Sequence, residues 1–218
     1  MNLEDIQNIM KEVLAQDLDN RAGDDPTSDQ LTAQLNEAAR KLSTDVRPIE
    51  RLQIAYTPAD PTINLDSLAR RVIAVWQVQV NGVPIRDHRG EQRIDTYEQL
   101  SLDIPGFEVG GTPGLPKRAA TLGRELYLYP APVAGHTITV VADTYFPDMP
   151  SALDQPVLMP KDLAEACAYY AAVLAAESRK HVAYQAERLN DARVRGETTA
   201  AKWRAVYDQQ RSDLGVSA

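Results

Sequence analysis

Residues 125–178 hold the passage that decides the fold: Glu125-Leu-Tyr-Leu-Tyr-Pro-Ala-Pro132, then His136 to Tyr145, then Phe146-Pro147 onward through Pro156 and Pro160, and finally Lys161-Asp-Leu-Ala-Glu-Ala. Leu126 and Leu128 oppose Tyr127 and Tyr129, and Ile138, Val140 and Ala142 oppose Thr137, Thr139 and Asp143. That period of two is expected of strands with one face turned inward. The two strands are expected to form a hairpin around Ala131 to Gly135. A proline-spaced extended stretch then leads into an alanine-rich helix. Pro160 suits a first helical position, and Asp162 and Glu165 suit the positive end of the helix dipole. The spacing predicts one helix running to about Val194, ~34 residues and ~50 Å at about 1.5 Å per residue. Its stripe is Leu163, Cys167, Tyr170, Leu174, His181 and Tyr184. Gly196 is expected to separate it from a last helix carrying Ala200, Trp203 and Tyr207 and ending near Gly215. A sheet that leads into a long helix with no catalytic constellation nearby points toward assembly rather than chemistry.

Upstream, the period changes twice. Leu3, Ile6, Met10, Val13, Leu14 and Leu18 recur at three- and four-residue steps, one apolar stripe on a helix. Asp19 to Pro26 interrupts it with turn-forming residues. Thr27 or Ser28 caps a second helix with the stripe Leu31, Leu35, Ala38, Ala39 and Leu42, which must stop before Arg47-Pro48. From about residue 49 the period falls to two. Leu52, Ile54 and Tyr56 form one strand face, a short Ile63 and Leu65 segment follows, and Val72, Ala74, Trp76, Val78 and Val80 form another face. Asn81-Gly82 signals a tight hairpin turn, because both residues tolerate positive φ. Val83 to Ile85 is the return strand, and Pro84 marks it as an edge. Tyr97 to Ile104 reads equally as a strand or a helical turn. Gly106 to Pro116, rich in glycine and proline, reads as a mobile loop.

These readings give an α+β fold, with two N-terminal and two C-terminal helices as layers around a central, mainly antiparallel β module. The expected divisions are a helical segment over 1–48, a β module over 49–150, and a C-terminal helical segment over 151–218 that packs with the first helices. At 218 residues the chain is long enough to fold without disulfides or a metal. No apolar run approaches the ~20 residues of a membrane span, and Met1 leads into an acidic amphipathic segment, so synthesis in the cytoplasm is expected. The formal net charge of −8 argues against gripping nucleic acid, which needs clustered Lys and Arg.

Candidate chemistry is sparse. The single cysteine, Cys167, reads as a buried small apolar residue. His88, His136 and His181 stand far apart, with no partner at metal-ligand spacing. Gly110-Gly-Thr-Pro-Gly-Leu-Pro-Lys-Arg118 resembles a phosphate loop only superficially. Two of its residues are prolines without amides, and it leads into a strand rather than a helix. No serine sits in a nucleophile elbow. The doublets Arg70-Arg71, Lys117-Arg118 and Arg179-Lys180 read as solvated or ion-paired charge rather than a DNA groove. Asp24-Asp25 reads as solvated charge in a linker. Tyr127, Tyr129, Tyr145 and Phe146 are the only candidates for an aromatic binding face, the mark of an alternative β-sandwich module that binds a ligand or carbohydrate. No catalytic residue, metal ligand or cofactor site is expected.

One resemblance covers about residues 28 to 210. The helix Leu31 to Leu42, the strand Val72 to Val80 closed by Asn81-Gly82, the strand Leu126 to Pro132, the Tyr145-Phe-Pro lead-in to Pro160, and the closing helices together resemble the head-to-tail adaptor proteins of tailed bacteriophages. The resemblance implies a non-catalytic virion neck protein that forms a twelve-fold homo-oligomeric ring. It further implies docking on the portal protein, presentation of a surface to a tail or neck protein, and passage of DNA without specific binding. The segment after the last stripe, with Asp213, Leu214 and Val216, is the expected partner contact.

Overall fold

A capping box starts the second helix. The Thr27 hydroxyl accepts from the Gln30 amide at 3.3 Å, and Gln30 Oε1 accepts from the Thr27 amide at 3.1 Å, which satisfies two donors that the first turn leaves open. The computed structural model describes residues 1–14, 27–178 and 186–215. Its first half contains α1 (Leu3–Leu14), α2 (Ser28–Val46), β1 (Ile49–Ile54), β2 (Thr62–Asn64), β3 (Val72–Val80) and β4 (Val83–Pro84). The second half contains β5 (Asp95–Thr96), α3 (Tyr97–Asp103), β6 (Arg118–Leu122), β7 (Glu125–Tyr129), β8 (Ile138–Thr144), α4 (Lys161–Ser178) and α5 (Ala186–Asp213). The fold is α+β, with helices before and after a sheet module along the chain. Among the described residues no helix is long and apolar enough to cross a membrane.

The chain divides into two units. One comprises Met1–Arg47 and Tyr145–Tyr207, the other Pro48–Thr144 and the chain from Asp208 onward. In the helical unit, α1 and α2 both pack on α4. Leu3, Ile6, Met10 and Leu14 of α1 and Leu31, Leu35, Ala38, Ala39 and Leu42 of α2 are buried, as their spacing predicts; Leu18 lies outside the described residues. They meet Leu163, Cys167 and a run of alanines, Ala164, Ala168, Ala171, Ala172 and Ala175. Small side chains let the helix backbones approach closely and lose no rotamer freedom on burial. The Cys167 thiol donates to Leu35 O at 3.4 Å, and burial pushes its pKa up to about 12. It is the inert, space-filling residue that the sequence suggests. The proline-spaced stretch is fastened to α2 by side-chain acceptors: Phe146 N donates to Ser43 Oγ at 2.9 Å, and Met149 N to Asn36 Oδ1 at 2.7 Å.

The C-terminal helices differ from expectation. α4 is described as far as Ser178, and α5, described from Ala186, runs without a break through Gly196. Residues 179–185, with His181 and Tyr184, lie outside the described residues. Gly196 is therefore not a separator but a place of close approach. A Cβ there would stand 2.9 Å from Cδ2 and Cε2 of the Tyr170 ring. The ion pairs Arg193–Glu177 at 2.6 Å and Lys202–Asp162 at 3.2 Å set α5 antiparallel to α4. Among the described residues a narrow stripe of α5 joins the core: Ala192 and Ala200 are buried, and Trp203 and Tyr207 pack beside them.

The sheet unit holds two four-stranded sheets, in the orders β1-β8-β3-β4 and β2-β7-β6-β5. Leu52, Ile54, Val78, Val80, Ile138 and Val140 of the first share a core with Ile63, Leu126 and Leu128 of the second, so the sheets pack face to face. The expected β7–β8 hairpin does not form, because these strands belong to different sheets. Pro130 and Pro132 carry no amide and cannot extend a ladder, so the chain leaves one sheet there and crosses to the other. The hairpin partner of β7 is β6, from Arg118↔Tyr129 to Leu122↔Glu125, the strand into which Lys117-Arg118 leads. Two register irregularities in β3 also break its alternation, which buries Gln77 and leaves Trp76 half-buried. Gln77 Nε2 donates to Gln92 O at 3.0 Å. Pro84 lies on an edge strand, as expected. Tyr97 to Ile104 resolves as helix, with the Thr96 hydroxyl accepting from the Gln99 amide at 3.1 Å.

Gly196→Leu should separate α5 from Tyr170 and cost about 1–3 kcal/mol, the usual range for overpacking. Ala201→Leu, at an exposed position of the same helix, should stay within about 0.5 kcal/mol. Denaturant melts of the two variants against the parent chain check this.

Candidate interaction surface

The residues singled out for chemistry do not converge. Among the described residues no group of three or more His, Cys, Asp and Glu side chains could hold a metal. His136 Nδ1 lies 3.1 Å from Asn81 Nδ2, at the turn after β3. His88 belongs to a different network, centred on the buried carboxylate of Asp95. That carboxylate accepts from His88 N and contacts His88 Nδ1, both at 2.9 Å, and accepts from Arg118 Nε at 2.6 Å. Arg118 also donates to Asp103 at 3.0 Å. The second member of the Lys117-Arg118 doublet is thus spent inside the fold, as Arg70 is on Glu50 at 3.5 Å. Asp24-Asp25 and Arg179-Lys180 lie outside the described residues.

Next to this network, Asp87 organises the turn over residues 87–93. Its carboxylate accepts from the amides of Arg89 and Glu91 and from Arg93 Nε at 2.8 Å. Burial raises the Asp87 pKa, but the hydrogen bonds from Arg93, Glu91 and Arg89 together outweigh it and hold the carboxyl below its ordinary 3.8. Asp103 is also held low, chiefly by its hydrogen bond from Arg118.

The Gly/Pro-rich stretch 106–116 is packed rather than loose. Phe107 is fully buried with Leu100 and Ala120. Its ring meets Tyr97 and Tyr127 edge-on, at 5.3 and 5.5 Å between centroids, and Tyr97 and Tyr127 stand 5.6 Å apart. Such edge-to-face contacts each add about 0.5–1.5 kcal/mol beyond burial. Tyr127 OH donates to Glu125 at 2.6 Å, a bond that pushes its pKa up to about 12. Gly110 (φ +75°) presses so closely on Ala131 that a Cβ would come within 2.7 Å of that residue's own. The tyrosines considered for a binding face are therefore split. Tyr127 is occupied by its neighbours, Tyr129 lies against Gly111, and Phe146 belongs to the helical core. On this rigid base Val109 is 81% exposed and Leu115 49% exposed, so apolar side chains are presented to solvent at little further ordering cost.

The C-terminal segment has an anchor that sequence reading missed. Arg211 is 3% exposed, and its Nη2 and Nε reach Asp143 Oδ1 at 2.7 and 3.1 Å. Its Nη1 donates to Asp208 at 2.6 Å. Asp143, expected on the solvent face of its strand, is fully buried because β8 is an inner strand and Arg211 covers that face. The available signal was the spacing of Trp203, Tyr207 and Arg211, which places an arginine where the stripe calls for an apolar residue. Beyond the anchor, Asp213 is exposed and accepts from Gln209 Nε2 at 2.8 Å, and Leu214 is half-buried. Val216 lies outside the described residues.

The family model described as SU10 adaptor protein matches residues 1–217. No curated protein matches the chain.

Two outcomes follow from these contacts. Arg211→Met should cost about 3–5 kcal/mol by removing one partner of a buried ion pair, and adding Asp143→Leu should recover part of it; chemical denaturation of the single and double variants measures both. Asp87 and Asp103 release their protons more readily in the folded state, so their contribution is complete above the unfolded value. It is lost as pH falls below about 3.8 and through the folded values. Melting temperature should drop over that window, and Asp103→Asn should flatten the drop.

Proposed function

We propose a ring-building role in the phage neck for this chain, which belongs to the SU10 adaptor protein family. Members of that family are phage structural adaptors, which points to a non-enzymatic role, to oligomerisation, and to contacts with other head and tail proteins. The finer reading is a twelve-fold ring that docks on the portal protein, offers its far side to a tail or neck protein, and lines the DNA channel. The observation that carries it is the span of the family match: residues 1–217 take in both units, so the likeness extends over the helices as well as the sheet module.

Physical features of the chain support this reading. A ring closes through heterologous contacts, in which one patch meets a different patch on the next copy. The rigid, apolar-tipped loop around Val109 and Leu115 supplies one such patch. A net charge of −8 suits a channel wall past which DNA slides, because a cationic wall would retain phosphates. The segment with Asp213, Leu214 and Val216 is the proposed portal contact, and it follows directly on the Arg211 anchor.

Native mass spectrometry of the full chain mixed with the phage's own portal protein tests the role. The expected result is a portal-bound species carrying twelve copies of the chain. Deleting residues 213–218 should leave the fold intact by circular dichroism and weaken that association at least tenfold. A chain that stays monomeric with portal present would overturn the ring. A truncated chain that docks as well as the full one would remove the C-terminal contact alone.

A further inference from the structure

The helical unit carries a groove along the solvent side of its core. Two adjoining clefts run along α1 and share Ile9 and Glu12 as walls. One measures about 510 Å³ and the other about 340 Å³. Ile9, Val13 and Tyr169 are half-buried and give the groove an apolar floor. Asp5, Glu12 and Glu165 rim the larger cleft, with Lys161, 3.9 Å from Glu165, and Met1 beside them, whereas Arg188, Arg195 and Asp191 line the smaller one. That end of the groove is therefore apolar below and acidic around.

The loop over residues 109–117 has the complementary character. Val109 and Leu115 are exposed apolar side chains on a packed base. No carboxylate occurs from Val109 to Lys117, although the whole chain carries 31 Asp and Glu residues, and Lys117 itself is exposed. An apolar tip with an adjacent cation matches an apolar floor with an acidic rim, and charge complementarity of this kind selects both partner and register.

Resting on the ring reading above, we infer that the groove along α1 receives the Val109–Lys117 loop of a second copy of this chain. Leu115 seats over Ile9 and Val13, and Lys117 lies toward Asp5 and Glu12. Because the two surfaces are unlike, each copy uses its loop on one neighbour and its groove on the other. That is the head-to-tail contact from which rings are generated.

Cross-linking of the full chain tests the contact under the conditions that assemble it, with the portal protein present. The native Cys167 is fully buried and does not compete for reagent. The variant Leu115→Cys with Asn8→Cys joins the loop tip to the groove rim, since Asn8 is exposed and lines the larger cleft. A short bis-maleimide should convert it into a ladder of dimers and higher species. The control Val83→Cys with Asn8→Cys, which uses an exposed apolar position on β4, should remain monomeric on a denaturing gel. Charge reversal gives an independent readout. Lys117→Glu and Glu12→Lys should each weaken assembly about tenfold, and the two together should restore it. Assembly without the ladder, or an equal ladder from the control, or no rescue, overturns this contact and leaves the ring standing. Failure of the unmodified chain to assemble on portal removes the ring and this contact with it.

Discussion

A carboxylate fixed inside an inner strand is the constraint around which the sheet unit closes. β8 pairs with β1 on one side and β3 on the other, and Asp143 sits near its end with no access to solvent. A charge in that position is costly unless a counter-charge reaches it with good geometry. Arg211 does so from the last turn of α5, with two nitrogens on one oxygen of Asp143 and a third on Asp208. The pair therefore determines where the final turn of the chain must lie. An apolar pair would have held the same turn less specifically, because hydrophobic contact has no direction.

Much of the helical unit was legible in the sequence because helix periodicity and capping are local signals. Thr27 or Ser28 announces the start of α2, Arg47-Pro48 its end, and Leu31 to Leu42 its buried face. The sheet unit was less legible. Strand faces were readable, but pairing depends on partners far along the chain. The assignment of β7 and β8 to one hairpin failed because sequence proximity outweighed the two prolines that interrupt the ladder. The alternation of β3 misled for another reason: bulges shift the inward phase, and Gln77 ended up inside. Gly196 was misread since a glycine can mark either a break or a close approach, and only the position of Tyr170 distinguishes them. Of the candidate contact residues, Asp213 and Leu214 have a described setting, whereas the anchor that positions them was hidden by its charge.

The stretch around residues 106–116 shows how composition can mislead about order. Glycine and proline suggest looseness, yet here they allow tight approach to Ala131 and Tyr129 and a turn that tucks Phe107 beneath. Edge-to-face aromatic contacts fix the base of the exposed tip at Phe107. A tip carried on a packed base leaves less of the chain to order on binding, which raises affinity without additional contact area.

The alanine-lined face of α4 bears on how such a chain can diverge over generations. Positions such as Ala168, Ala171 and Ala172 are wholly enclosed, and any bulkier replacement would push apart helices that meet almost backbone to backbone. Most of α5, by contrast, faces water and accepts change at little cost. Mutational drift is thus steered onto the outer surface of one helix, and lineages that fold identically can come to differ mainly in what that surface is able to meet.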